Sequence, residues 1–146
     1  MGMLDQSTKL ATAQTVTAIG DTVSTNVYDF GSAPTADAAL TSPYLWLYAQ
    51  VATTATSGGA ATVQAVLQDS ADNATFADVL SGPVVALAAL TAGAPLLIVQ
   101  PPVGLRRYFR VAWRVAGAAL TGGTFSAFVS MDVQRNVARP SGFSVA

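Results

Sequence analysis

Arg106-Arg107-Tyr108-Phe109-Arg110-Val111-Ala112-Trp113-Arg114-Val115 alternates more cleanly than any other stretch of this chain. Phe109, Val111, Trp113 and Val115 fall on one row; Arg106, Tyr108, Arg110, Ala112 and Arg114 fall on the other. Side chains project to opposite faces with period two along a strand, so the stretch reads as a strand with one apolar and one cationic face. An antiparallel sheet covered on one side requires that pattern. Turn residues bound it, Pro101-Pro102-Val103-Gly104 ahead and Gly117 behind. The apolar row is long enough to be the spine of a core, and Arg107 opens it. The cationic row holds three of the six arginines.

The other strands follow from the same test. Tyr44–Val51 has bulky residues on both rows: Leu45, Leu47, Ala49 and Val51 on one, Tyr44, Trp46, Tyr48 and Gln50 on the other. Such a strand is central and covered on both sides. Ser57-Gly58-Gly59 turns the chain into Ala61–Gln68, with Val63, Ala65 and Leu67 inward. Phe76–Leu80 and Leu96–Gln100 are short strands. Val84–Leu90 is short and flanked by turn residues, which favours a strand over an Ala-rich helix. Val23–Phe30 alternates weakly. Thr124–Val133 puts Phe125, Ala127, Val129, Met131 and Val133 on one row, after a Gly-rich connection over 116–123.

Eight or nine short strands and no long amphipathic helix make the chain all-β, an antiparallel β-sandwich of jelly-roll type. The expected core joins Phe109, Val111, Trp113, Val63, Leu67, Val129 and Met131. Residues 21–134 form the sandwich, and residues 135–146 a tail without a pattern of its own. Residues 1–20 read as an N-terminal arm rich in Thr, Ala and Gln, forming either an edge strand or an extension onto a neighbour. No inward residue is evident in its first twelve positions. Their removal is therefore expected to leave the melting temperature nearly unchanged, and strand addition to a neighbour's sheet is the expected use of the arm.

The inventory of reactive groups argues against catalysis. The chain has 146 residues, enough to bury a core without staples, and contains no Cys, His or Glu. The usual general bases and thiolate or imidazole metal ligands are absent, so no catalytic, cofactor or metal site and no small-molecule substrate is expected. Asp69, Asp72, Asn73 and Asp78 lack EF-hand spacing, and Asx turns call for the same residues. Nothing at the N-terminus resembles a signal peptide. The uncharged stretch 79–105 is broken by Gly82, Pro83, Gly93, Pro95, Pro101 and Pro102, so it is expected to form strands and not a membrane helix.

Only 10% of the residues are charged, and the charges are unevenly placed. Residues 1–80 hold seven Asp and one Lys, whereas residues 81–146 hold six Arg and one Asp. Two readings stay open: solvated faces, or complementary contact surfaces between copies or with a partner. A weakly charged surface favours association, so a homo-oligomer, dimer or trimer, is expected. Arg106, Arg110 and Arg114 with Tyr108 would suit phosphates and bases, but a net acidic chain with a single Lys argues against nucleic acid. Tyr44, Trp46 and Tyr48 would suit a sugar platform, though an aromatic row on a central strand is more often core.

Several segments resemble the capsid cement proteins of tailed bacteriophages, of the type first seen in a Bordetella phage. They are Met3-Leu4-Asp5, Ala13–Ala18, Ser57–Gln64, Leu90–Gly93, Pro101–Gly104, Arg107–Val111, Leu120–Gly123, Asp132-Val133-Gln134 and Pro140-Ser141-Gly142-Phe143. The ordered set runs along nearly the whole chain. The resemblance implies a jelly-roll virion protein on the outer surface of the phage capsid, tying neighbouring major capsid subunits together, with no catalytic residue to carry over. The expected partner-binding residues are Arg106, Tyr108, Arg110 and Arg114 on the cationic row, with Arg139 and Phe143 in the tail. A carbohydrate-binding sandwich without catalysis is the alternative.

Overall fold

The computed structural model describes residues 8–29, 31 and 46–130. Ten strands run through them: β1 (Lys9–Thr15), β2 (Gly20–Val23), β3 (Tyr28–Asp29), β4 (Trp46–Ser57), β5 (Thr62–Ser70), β6 (Ala77–Ser81), β7 (Val85–Ala86), β8 (Pro95–Val99), β9 (Tyr108–Ala116) and β10 (Leu120–Ser130). The first sheet has the order β1-β10-β4-β8 and the second β2-β9-β5-β6, with β3 beside β9 and β7 beside β5.

The pairing is nested. β1 pairs with β10, β2 with β9, β4 with β8 and β5 with β6, all antiparallel. The chain is thus a long hairpin rolled up on itself, closed laterally by β10 against β4 and β9 against β5. A four-stranded and a six-stranded sheet linked in this way form a jelly roll, as the strand pattern led one to expect.

β9 is the spine of the second sheet. Phe109, Val111, Trp113 and Val115 are buried, and in register with Asp69, Leu67, Ala65 and Val63 of β5. Leu47, Ala49 and Val51 of β4 and Phe125, Ala127 and Val129 of β10 form the facing layer. Six of the seven expected core residues are buried here; Met131 lies outside the described residues.

Four local expectations are corrected. Arg107 does not open the apolar row, because the strand begins only at Tyr108; Leu105 is buried there instead, and the guanidinium stays at the surface on Asp29. Val23–Phe30 is not one strand. After β2, the Ser24 hydroxyl donates to the Asn26 carbonyl, and the Asn26 N–H reaches Leu10 of β1. Of the stretch 84–90, only Val85–Ala86 pairs with β5; Leu87–Ala89 make one 3-10 turn that drops Leu90 into the core. The Gly-rich connection is shorter than expected, since β10 already starts at Leu120.

The N-terminal boundary is also corrected. Lys9–Thr15 belong to the sandwich as an edge strand, and Leu10, Ala11 and Val16 are buried in its core. Their small and Thr-rich neighbours hide an apolar row that only the register with β10 exposes to view. Residues 1–7 and the tail 135–146 lie outside the described residues, as does Tyr44.

The sheet edges are guarded. The register slips twice along β1, where Ala13 takes a positive φ of 45°, and its N–H bonds the Ser126 hydroxyl. β6 slips between the partners of Leu67 and Gln68, and β8, which opens on Pro95, slips between those of Ala49 and Gln50. β2 is four residues long. Bulges, proline and shortness disrupt the straight row of free backbone groups that strand addition needs. These edges disfavour the strand addition expected of the arm over its described part.

Candidate interaction surface

The outward face of the second sheet carries Arg110 and Arg114 of β9 together with Asp21 of β2 and Asp78 of β6. Tyr108, Arg110, Ala112 and Arg114 of β9 stand opposite Ser70, Gln68, Val66 and Gln64 of β5. Asp78 of β6 flanks them beyond Gln68, and Asp21 of β2 stands opposite Arg114. Ala112 and Val66 are fully buried although they point outward. The long side chains around them therefore exclude water with their aliphatic stems.

The charges are joined in a ladder. Arg114 donates from Nε to Asp21 Oδ1 at 2.7 Å and from Nη2 to Asp21 Oδ2 at 2.8 Å. The same Nη2 donates to Asp78 Oδ2 at 2.9 Å. Gln68 Nε2 donates to Asp78 Oδ1 at 2.8 Å, and this turns the Gln68 carbonyl toward Arg110, whose Nε donates to it at 2.9 Å. The Arg110 guanidinium also lies over the Phe76 ring, 3.7 Å from its centroid. Hydrogen bonds from Gln68 and then Arg114 hold the Asp78 carboxyl below its ordinary range, while its two carboxylate partners raise Arg114. Burial pulls Arg110 below the ordinary arginine value.

Arg106 is anchored elsewhere. Its backbone N–H donates to Asp69 Oδ2 at 2.9 Å, and its side chain donates to Asp69 Oδ1 and to the Asp69 carbonyl. Asp69 is only 6% exposed. Burial alone would raise its carboxyl; the Arg106 side chain and N–H outweigh that and lower it. Arg106 thus compensates a buried charge that would be costly unpaired. Arg107 forks onto Asp29 at 2.8 and 3.0 Å and lies 4.9 Å from the Tyr108 ring centroid.

The cationic row expected to meet a partner is therefore largely neutralised within the chain. Arg106 and Arg114 hold the fold together, Tyr108 sits beneath Arg107, and Arg110 has no carboxylate among the described residues. Arg139 and Phe143 lie outside the described residues. The partners Asp21, Gln68, Asp69, Phe76 and Asp78 were not legible as such. Their one signal was the charge split between the two halves of the chain. It arises because β9, late in sequence, lies beside β2 and β5 from the early half.

The polar turn after β5 is a structural device. Asp72 Oδ1 accepts from the N–H groups of Ala74 and Thr75 at 3.0 and 2.9 Å and from the Ser70 hydroxyl at 2.8 Å. These bonds, Thr75 first, hold its carboxyl at about 2. Asp69 and Asp78 turn instead to Arg106 and to Arg114, so the acids around this turn are not gathered on one point. On the outer face of the first sheet, Tyr48 is 1% exposed, its ring 5.2 Å from that of Phe128. A sugar face has no access to it.

Compared with known families, residues 10–129 match the model of Bbp16, a Bordetella phage protein family. The match begins one residue into β1 and ends one residue before the end of β10, so it covers the sandwich described above. No curated protein matches the chain.

Proposed function

The chain belongs to the Bbp16 family, a family of Bordetella phage proteins, and from that premise we propose that it is a structural protein of the phage head, cementing neighbouring major capsid subunits from outside the mature shell. The observation that carries the reading is the extent of the match, which takes in both sheets and not a single motif. The chemistry of the surface supports it. The carboxylates at 21, 29, 69 and 78 are engaged by arginines, and that at 72 caps a turn. Such a face suits a rigid, non-catalytic body whose task is to bind.

A protein that binds the assembled lattice in preference to free subunits stabilises the lattice by mass action, and many weak sites on a symmetric shell add up. Docking through faces fits the guarded edges better than strand addition does. We also propose that the protein acts as a homo-oligomer, since low surface charge favours self-association.

The test is co-sedimentation of purified protein with mature shells and with unexpanded precursor shells. Binding to mature shells alone, with a higher temperature of shell rupture, is expected. A protein that binds neither, or binds both without protecting them, contradicts the reading. Light scattering at high concentration tests the oligomer, which a monodisperse mass of 14.9 kDa would exclude.

A further inference from the structure

Of the four described arginines, three fork onto described carboxylates of this chain, and Arg110 forks onto none of them. Its Nε is taken by the neutral Gln68 carbonyl. Its two terminal nitrogens make no hydrogen bond to any described residue. The group is nonetheless held in place. Asp21 fixes Arg114, Arg114 fixes Asp78, Asp78 fixes the Gln68 amide, and that amide orients Arg110. The Phe76 ring supports the guanidinium plane from one side. Four strands and the turn before β6 thus position one fork whose two terminal nitrogens are left open by the described residues.

Holding a cation in this way is costly without a return. The group is half-buried and its burial disfavours the charged form. An arginine needed only to cover Ala112 and Val66 has no need of an oriented amide behind it. A planar fork whose terminal nitrogens no described residue engages matches a carboxylate, which such a fork binds through two parallel, charge-assisted hydrogen bonds.

We propose that Arg110 is the partner-facing cation of this surface and receives an Asp or Glu carboxylate of the protein on which the chain docks. The proposal rests on the head-protein reading for the identity of that partner, the major capsid subunit. Arg106 and Arg114, by contrast, act within the fold.

Two probes separate the proposal from the reading beneath it: mature shells, and a fluorescent oligoglutamate peptide followed by anisotropy at low salt. Wild type and Arg110→Gln are compared on both, with melting temperatures as a check of folding. The expected result is an about tenfold or greater loss on both probes with little change in melting temperature, as for a truncated interfacial charge pair. Arg110→Lys, which keeps the charge without the fork, is expected to recover only part of it. Equal binding of Arg110→Gln and wild type to shells overturns the docking role, whatever the peptide shows. Wild type that binds neither probe overturns the proposal altogether. Peptide binding lost in Arg110→Gln, with no wild-type binding to shells, leaves the carboxylate site standing and removes the head-protein reading instead.

Discussion

Trp113 of β9 and Phe125 of β10 meet across the sandwich, ring centroids 5.3 Å apart and planes tilted by 36°. Each belongs to a different sheet, and both are fully buried. The contact therefore joins the two layers at the centre of the core. The Trp113 Nε1–H is buried there without an acceptor among the described residues. The indole is retained for its volume and shape, at the cost of an unsatisfied donor.

That arrangement separates two substitutions. Trp113→Ala is expected to cost about 3–5 kcal/mol, the range for emptying a large aromatic site. Trp113→Phe is expected to cost about 1–2 kcal/mol, because removing the orphan N–H offsets part of the lost packing. Urea unfolding of the two variants checks both values. Equal losses would mean that the indole N–H finds a partner in solution.

The N-terminal strand yields a second prediction. Leu10 is 1% exposed in the core, and residues 9–15 pair with β10. Leu10→Ala should cost about 2–5 kcal/mol. Deleting residues 1–12 should lower the melting temperature clearly, contrary to the arm reading of the sequence. An unchanged melting curve for the deletion would show that β1 contributes nothing to the sandwich.

Acid should weaken the fold through its carboxylates. The carboxyls of Asp29, Asp69, Asp72 and Asp78 all lie below their ordinary values. A depressed folded-state pKa contributes stability above the unfolded value, about 3.9, and loses it as pH falls through the folded value. The melting temperature should thus be flat from about pH 8 to 5 and fall below about pH 4. Asp72, at about 2, sets the lower end of that window. Asp72→Asn should melt lower at neutral pH and show a shallower acid limb. Identical acid limbs in calorimetry would exclude Asp72 as a contributor.

Gly117 is predicted to resist replacement. It turns β9 into β10 with φ +81°, and a Cβ added there would collide with the Ala60 carbonyl oxygen. Gly117→Ala should cost about 1–3 kcal/mol, the scale of a strained left-handed residue. Gly20 also has a positive φ, +102°, but open space around it. Gly20→Ala is expected to lose less, and thermal unfolding of the pair separates collision from backbone strain.

The alternation of Phe109 to Val115 settled by itself that this chain builds sheets. It also settled which side chains of β9 face inward, because the two-residue pleat is a property of the local backbone. The same rule placed Arg110 and Arg114 correctly on the outward row. Alternation does not record which strand lies beside which. Asp21 and Arg114 are 93 residues apart in sequence, and only the nested pairing makes them neighbours. Leu10 sits among small and Thr-rich residues, so its burial became visible only once β1 was registered on β10. The cationic row written in the sequence thus became, in the tertiary structure, a set of internal ion pairs, with Arg110 alone of the described arginines on no described carboxylate. The reason is that Coulomb and hydrogen-bond partners are fixed by distance in space, and rolling up the long hairpin sets those distances.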